Sequence, residues 1–281
     1  MSFIIKIPKA PNSIQKGYPL KNVLGPEAIK YLANNISHVY SDFDKNGFTK
    51  TAKSKIDELE FMDRARHIAK SLRPYLPERY EDAAKILINS LSPPVVETEG
   101  LGLAVLFYTP HSCFIADYGV DKKYNNDVDP FEISMQAQYE ITKRSTSEFS
   151  IRPFLIQKQR KTLARLKKWT KDPDPHVRRL CTEGTRPRLP WAMRIPAFVD
   201  DPTPALPILE KLKDDPSLYV RRSVANHLGD ITKDHPELVF EICQRWLEDA
   251  SKERKWLIRH ALRYPANKGN KTALKLRKAA K

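Results

Sequence analysis

The strings "KKWTKDPDPHVRRLCTEG" (167–184) and "EKLKDDPSLYVRRSVANH" (210–227) align at an offset of 43 residues. Asp172-Pro173 falls on Asp215-Pro216, Val177-Arg178-Arg179 on Val220-Arg221-Arg222, and Trp169 on Leu212. A further shift of 34 brings "QRWLEDASKERKWLIRHAL" (244–262) into line, with Trp246 at the place of Leu212 and Asp249-Ala250-Ser251 at that of Asp215-Pro216-Ser217. A period of 34 to 43 residues, built as helix, Asp-Pro turn and second helix, is the pattern of HEAT-like or armadillo-like helical repeats. Such a unit cannot bury its apolar stripe alone and must stack on its neighbours. No run of strand alternation competes with this reading between residues 146 and 281.

The punctuation agrees with the repeat. Asp-Pro and Asp-x-Ser at the turn suit a helix start, where Pro is tolerated in the first turn. Asp234-His235-Pro236-Glu237 has the form of a capping box before "LVFEICQRWL". The link "TRPRLPWAMRIPAFVDDPTPALP" (185–207) carries six prolines and is the least helical part of this half. In the first half, "GPEAIKYLANNISHVY", "KSKIDELEFMDRARHIAKSLRPYL" and "RYEDAAKILINSL" have amphipathic helical spacing. "GLGLAVLFYTPHSCFIADYG" suits a buried helix better than a strand, and "DKKYNNDVDPFE" reads as a polar loop. "ISMQAQYEITKRSTSEFSIRPFLIQ" is expected to run as one helix ending near Pro153. No Gly/Ser-rich linker divides the chain, so the expectation is an all-α, curved solenoid of HEAT-like repeats over residues 1–281, with a basic concave face.

Charge separates the two halves. Residues 1–150 hold 19 Lys+Arg and 19 Asp+Glu, leaving 30 and 15 for residues 151–281, so the whole formal +15 lies in the second half. A field confined to one half suits a phosphate backbone and leaves a protein–protein scaffold without a use for it. The three cysteines, Cys113, Cys181 and Cys243, are far apart and lack metal-ligand spacing, which suits reduced core thiols in a cytoplasmic protein. The hydrophobic run in "MSFIIKIPKAPNS" is too short for a signal peptide, and no stretch is long enough to span a membrane.

The repeat register sorts the residues that could carry chemistry. Arg178, Arg179, Arg221, Arg222, Lys255 and Trp256 occupy equivalent places at the start of each second helix, a ladder whose pitch would let it follow phosphates. Trp169 and Trp246 align with Leu212 and are expected in the core. Trp191 lies off-register among Arg186, Arg188 and Arg194, where it either stacks on a cationic base or deoxyribose or pins the loop to the core. No CxxC, HExxH, glycine-rich phosphate loop or GxSxG elbow occurs, so neither metal nor cofactor is expected. Carboxylates remain. Asp230 shares a helical face with Ser223 and Asn226, and Asp234 is already available to cap the next helix. Glu148 precedes the basic repeats with Arg152 one turn later, which is equally the spacing of an ordinary i, i+4 pair.

"YPLKNVLGPEAI", "DELEFMDRARHIAKSL", "YEITKRSTSEFSIRPFL", "DPDPHVRRLCTEGTRPRLPWAMRIPAF", "YVRRSVANHLGDITKDHPELVFEICQRWL" and "KWLIRHALR" follow one another as in the AlkC branch of the AlkC/AlkD alkylbase DNA glycosylases. The chain resembles that family over nearly its whole length, most specifically in "EGTRPRLPWA" and "SVANHLGDITKDHP". The resemblance implies an all-helical, metal-free glycosylase that removes cationic N-alkylated bases, chiefly 3-methyladenine and 3-methylcytosine, from double-stranded DNA. It places Asp230 on the family's catalytic aspartate, and Glu148 and Trp191 on its other active-site acid and aromatic. The DNA surface would comprise Arg152, Arg178, Arg179, Arg186, Arg188, Arg194, Arg221, Arg222, Asn226, Lys255 and Arg259, on a protein working as a monomer. Two features depart from the pattern. Some members carry a C-terminal immunoglobulin-like domain, which is not expected within this sequence, and "DKKYNNDVDP" is longer than the usual connection. The alternative from another functional class is a non-catalytic HEAT-like module that binds damaged or distorted DNA.

Overall fold

The computed structural model describes residues 5–281, so the start of the N-terminal hydrophobic run lies outside the described residues. These fold as helices joined by turns and short 3-10 segments. Among them there is no strand, only an isolated bridge between Gln15 and Tyr18. The fold is therefore all-α, a helix-rich HEAT-like repeat architecture. Two compact units are distinguished, residues 1–153 and 154–281.

The first unit contains α1 (Pro26–Val39), α2 (Lys45–Lys53), α3 (Phe61–Leu72), α4 (Tyr80–Asn89), α5 (Thr109–Tyr118) and α6 (Phe131–Thr142). Helix α3 packs on α2 and α5, and α4 on α1 and α6. Ile29, Leu32, Phe48, Ile68, Tyr80, Phe114 and Phe131 are buried between them. The apolar segment after Gly102 is helical as expected, a 3-10 turn at Ala104–Tyr108 running into α5. The stretch 133–157 is not one helix. It breaks after Thr142, and Pro153 sits in the first turn of α7 (Ile151–Gln157) rather than ending a helix. The cause lies in "STSE": the Ser147 hydroxyl donates to the Gln138 carbonyl at 2.8 Å and Ser150 to the Ser147 carbonyl at 3.2 Å. These bonds offer the backbone groups an alternative to the helix ladder.

The second unit holds the repeats. First helices are α8 (Gln159–Trp169), α11 (Leu206–Leu212) and α13 (Pro236–Leu247); second helices are α9 (Pro175–Glu183), α12 (Leu218–Ile231) and α14 (Lys252–Ala261). The link 185–207 supplies only the short α10 (Pro196–Asp200), and α15 (Arg263–Asn267) and α16 (Lys271–Ala279) follow the last repeat. Helix α12 lies between α9 and α14, so the three second helices form one layer. Val220, Val224, Leu228 and Ile231 supply its buried stripe, as their spacing predicts.

The turn chemistry also repeats. Asp172 accepts from the Asp174 amide and Asp215 from the Ser217 amide, each at 2.9 Å, folding the turn back two residues. The cap position is then Asp174, Ser217 and Ser251; Asp174 accepts from the His176 amide and Ser251 from the Arg254 amide. Two expectations need correction. The capping box at Asp234 does not form, because Arg188 takes its carboxylate and α13 starts at Pro236 without a side-chain cap. Trp246 is buried, but Trp169 is half-buried, with the Arg165 guanidinium 5.9 Å from its ring centre.

Candidate active site and nucleic-acid surface

Helix α12 carries its polar face toward its neighbours in the layer. Ser223 and Asp230 are buried, at 2% and 4% exposure, although the equivalent positions in the flanking repeats hold Leu180 and Leu257, and Pro187 and Tyr264. Buried polar groups require partners, and here the partners come from the end of α9 and the loop behind it. Arg186 Nε donates to Asp230 Oδ2 at 2.7 Å, and Lys233 Nζ donates to Oδ1 at 3.1 Å. The same guanidinium donates from Nη1 to Glu183, itself only 5% exposed. Ser223 donates to the other oxygen of Glu183, Thr182 donates to Ser223, and Arg179 Nη2 stands 3.8 Å from Glu183. Two buried carboxylates thus share one arginine across the α9–α12 contact.

The electrostatics follow from these contacts. Burial alone would raise the Glu183 carboxyl, but Arg179, Arg186 and the Ser223 hydroxyl outweigh it and hold the pKa below the ordinary value. Burial opposes the charge on Arg186, yet Glu183 and Asp230 raise its pKa overall. His227, fully buried beside them, is pushed down to about 4 by burial and then by Arg186. Its Nδ1 lies 3.0 Å from the Thr182 carbonyl, which can only accept, so Nδ1 carries the proton. Nε2 is buried without a partner.

Arg186 also anchors the proline-rich loop that follows α9. Arg188 forms a bidentate pair with Asp234, at 2.6 and 2.7 Å, and the Ile195 amide donates to the Pro187 carbonyl at 3.2 Å. Between these ties the loop presents Trp191, 62% exposed, with φ +63°. Left-handed backbone is unfavourable for a bulky side chain and costs on the order of 1–3 kcal/mol where it persists. Exposure at 62% disfavours the reading in which Trp191 pins the loop to the core.

The basic ladder divides into two kinds of arginine. Arg178 Nη1 donates to the carbonyls of Asp172 and Pro173, and Arg221 Nη1 donates to those of Asp215 and Pro216. Arg178 also pairs with Asp215 of the next repeat, at 2.6 and 3.0 Å. Both residues clamp the inter-helix turn and are largely buried, which corrects their placement on an open phosphate-facing ladder. Of the second kind, Arg222 is exposed and Arg179 lies 5.0 Å from the centre of the Tyr219 ring; Lys255, the register equivalent of Arg178 and Arg221, is half-buried. Trp256 stacks on His260, Arg259 donates to the Ala280 carbonyl, and Arg194 is exposed. Asn226 accepts from His260 and Arg263.

Glu148 and Arg152 belong to the first unit. Glu148 lies in the turn before α7 rather than on a helix, half-buried, and accepts from Thr146 Oγ1 at 2.8 Å; Arg152 is fully buried. Glu183 is a site residue that sequence reasoning does not single out. Its register equivalence to Asn226, on the polar face of α12, is the signal that marks it. Among the described residues no group of His, Cys, Asp or Glu could hold a metal ion, and no helix is long and apolar enough to cross a membrane. The three cysteines are free and buried.

Residues 143–265 match the family model described as DNA alkylation repair enzyme. The protein YhaZ of Bacillus subtilis (strain 168) is 40% identical over 258 residues, covering 92% of this chain and 67% of that protein. Among solved structures, the Pseudomonas fluorescens alkylpurine DNA glycosylase AlkC, bound to DNA containing an abasic site analog, superposes with a TM-score of 0.79 at 38% identity. That match covers 92% of this chain and 67% of the glycosylase.

Proposed function

The chain belongs to the AlkC/AlkD-like DNA alkylation repair family, and from that membership we propose that it is a DNA glycosylase. Its substrates are cationic N-alkylated bases in duplex DNA, 3-methyladenine and 3-methylcytosine, and it acts as a cytoplasmic monomer. The observation that carries the reading is the pair of buried carboxylates, Asp230 and Glu183, held by Arg186 at the root of a loop that exposes Trp191 in strained backbone. The likeness to a solved alkylpurine DNA glycosylase on abasic-site DNA supports the same chemistry.

A base that is already cationic leaves without a general acid. The C1′–N bond breaks with its electron pair going to the base, which cancels the positive charge there. The sugar takes on oxocarbenium character, and water adds to C1′ while its proton passes to a carboxylate or to solvent. Asp230 stabilises the growing positive charge and orients the water. Trp191 offers a π face to a cationic base or to the deoxyribose. Arg179, Arg194, Arg222, Lys255 and Arg259 face the phosphates, while Arg178 and Arg221 keep the repeats in place beneath them.

The test is Asp230→Asn, assayed by chromatography of bases released from methylated duplex DNA. The expected loss in rate is on the order of 10²–10³, the scale of removing one preorganised charge-stabilising group. Unchanged release removes Asp230 from the mechanism. Tight DNA binding without base release by the unmutated protein selects the non-catalytic DNA-binding module instead.

A further inference from the structure

Several arginines of the second unit pair with a carboxylate. Arg178 has Asp215, Arg186 has Asp230, Arg188 has Asp234 and Arg254 has Asp214. Among the described residues Arg259, Arg263 and Arg277 form no ion pair with a carboxylate, although Asp230 lies near enough to Arg263 to offset part of the fall in its pKa. They converge with Trp256 and His260 on a cleft of about 260 Å³ made by α14, α15 and α16. Arg259 and Arg263 donate only to neutral oxygens, those of Ala280, His260 and Asn226. The buried Nε of Arg277 has no hydrogen-bond partner. Three guanidiniums around one cleft repel each other, and an unsatisfied buried N–H of a charged group costs more than a neutral one. An anion relieves both.

The surroundings fix which anion. Trp256 and His260 stack with ring centres 5.0 Å apart and 15° between planes, which sets an aromatic pair beside the arginines. His260 is pushed down to about 4, first by burial and then by Arg263 and Arg222, so it meets a ligand as a neutral ring. Arg263 and His260 both bond Asn226 Oδ1, at 3.0 and 3.1 Å, and Asn226 sits one turn before Asp230 on α12. The cleft is therefore tied through one side chain to the helix that carries the candidate catalytic acid. A planar guanidinium fork matches phosphoryl oxygens.

We propose that this cleft seats one backbone phosphodiester of the DNA, at a fixed step along the strand from the nucleotide held at Asp230, with Arg259, Arg263 and Arg277 as its ligands. The inference rests on the reading of the protein as a DNA glycosylase and adds a phosphate position to it. The seat would position the lesion by gripping the backbone beside it.

The test uses the full chain and duplexes containing an abasic site, in which each phosphate near that site is replaced in turn by a neutral methylphosphonate. For the unmutated protein one position should weaken binding by about tenfold or more. In Arg263→Gln/Arg277→Gln that position should lose its penalty, while the others keep theirs. The slope of log affinity against log salt should also become shallower by about 1. Thermal unfolding of the variant checks that it folds; Arg277→Lys, which keeps the charge and loses the fork, provides the milder case if it does not. Equal penalties at every position in protein and variant overturn the proposal. So does a thermal shift by inorganic phosphate that depends on these arginines without any coupled position in the DNA, which would mark a small-anion site. Failure of the glycosylase reading shows separately, as absence of base release with the phosphate coupling intact.

Discussion

Arg186 is the residue whose loss should be felt most, and Arg186→Met gives the test with the least steric change. The substitution leaves Glu183 and Asp230 buried, at 5% and 4% exposure, without the guanidinium they share. Breaking a buried ion pair by removing one partner costs about 3–5 kcal/mol, because the other charge stays buried and uncompensated. At roughly 4 °C per kcal/mol for a unit of this size, thermal unfolding followed by circular dichroism near neutral pH should drop by on the order of 10–20 °C. The deficit should also narrow as pH falls toward 5. Burial is the largest influence on the Glu183 carboxyl and raises its pKa, and without Arg186 less opposes it, so Glu183 takes up a proton in the folded variant more readily than in the unmutated protein and acid costs the variant less stability. Arg186→Met/Glu183→Gln, which removes one carboxylate as well, should recover more than half of the loss. A melting temperature within about 3 °C of the unmutated protein, or a deficit independent of pH, would refute the shared-arginine reading.

Trp191→Gly relieves the φ +63° backbone and should raise stability by up to about 1 kcal/mol in urea titration, while base release falls. Equal loss of both would mean that Trp191 supports the fold. His227 is held at about 4 against its ordinary 6.5, so the folded state lacks a proton that the unfolded chain binds between those values. Stability is then full above pH 6.5 and declines by about 3 kcal/mol as pH falls through 4. His227→Asn, which can still donate to the Thr182 carbonyl, should flatten that slope in unfolding curves taken across the window. Arg178→Ala should cost about 1–3 kcal/mol of stability and leave the salt dependence of DNA binding unchanged. Arg222→Gln should do the reverse, lowering the salt slope by about 1 at constant stability; equal effects from the two would erase the distinction between them.

The repeat was legible because it is written in short-range chemistry. Asp172 and Asp215 make the same backbone bond two residues on, and Val177 and Val220 are both buried, so the string carries the turn and the core with it. What sequence spacing could not carry was competition between equally suitable partners. Asp234 has the position and chemistry of an N-cap, but Arg188, 46 positions earlier, takes both its oxygens. Arg178 and Arg179 are adjacent and identical, yet helical geometry turns one down onto the turn carbonyls and leaves the other beside Tyr219 and Glu183. Glu148 is expected on one helix running through 133–157, whereas the hydroxyls of Ser147 and Ser150 bond backbone carbonyls and the helix breaks there. Each miss concerns a side chain choosing between a local and a distant oxygen.

An acid in the most basic part of the chain should repel a polyanion, and Asp230 meets that difficulty by being compensated before DNA arrives. Arg186 and Lys233 bond its two oxygens, so to an approaching phosphate the group looks close to neutral. Up close the balance differs. Arg186 donates to Asp230 from one side and is pulled the other way by Glu183, which leaves lone pairs on Asp230 unclaimed. A cation formed next to those lone pairs, in surroundings of low dielectric, is attracted more strongly than any group at phosphate distance is repelled. The same arginine thus screens the carboxylate at long range, fixes its orientation, and keeps its charge available at contact. Under the proposed function the paired arrangement lets an acid act on a DNA-facing surface, and Arg186 should prove as necessary to base release as Asp230 itself.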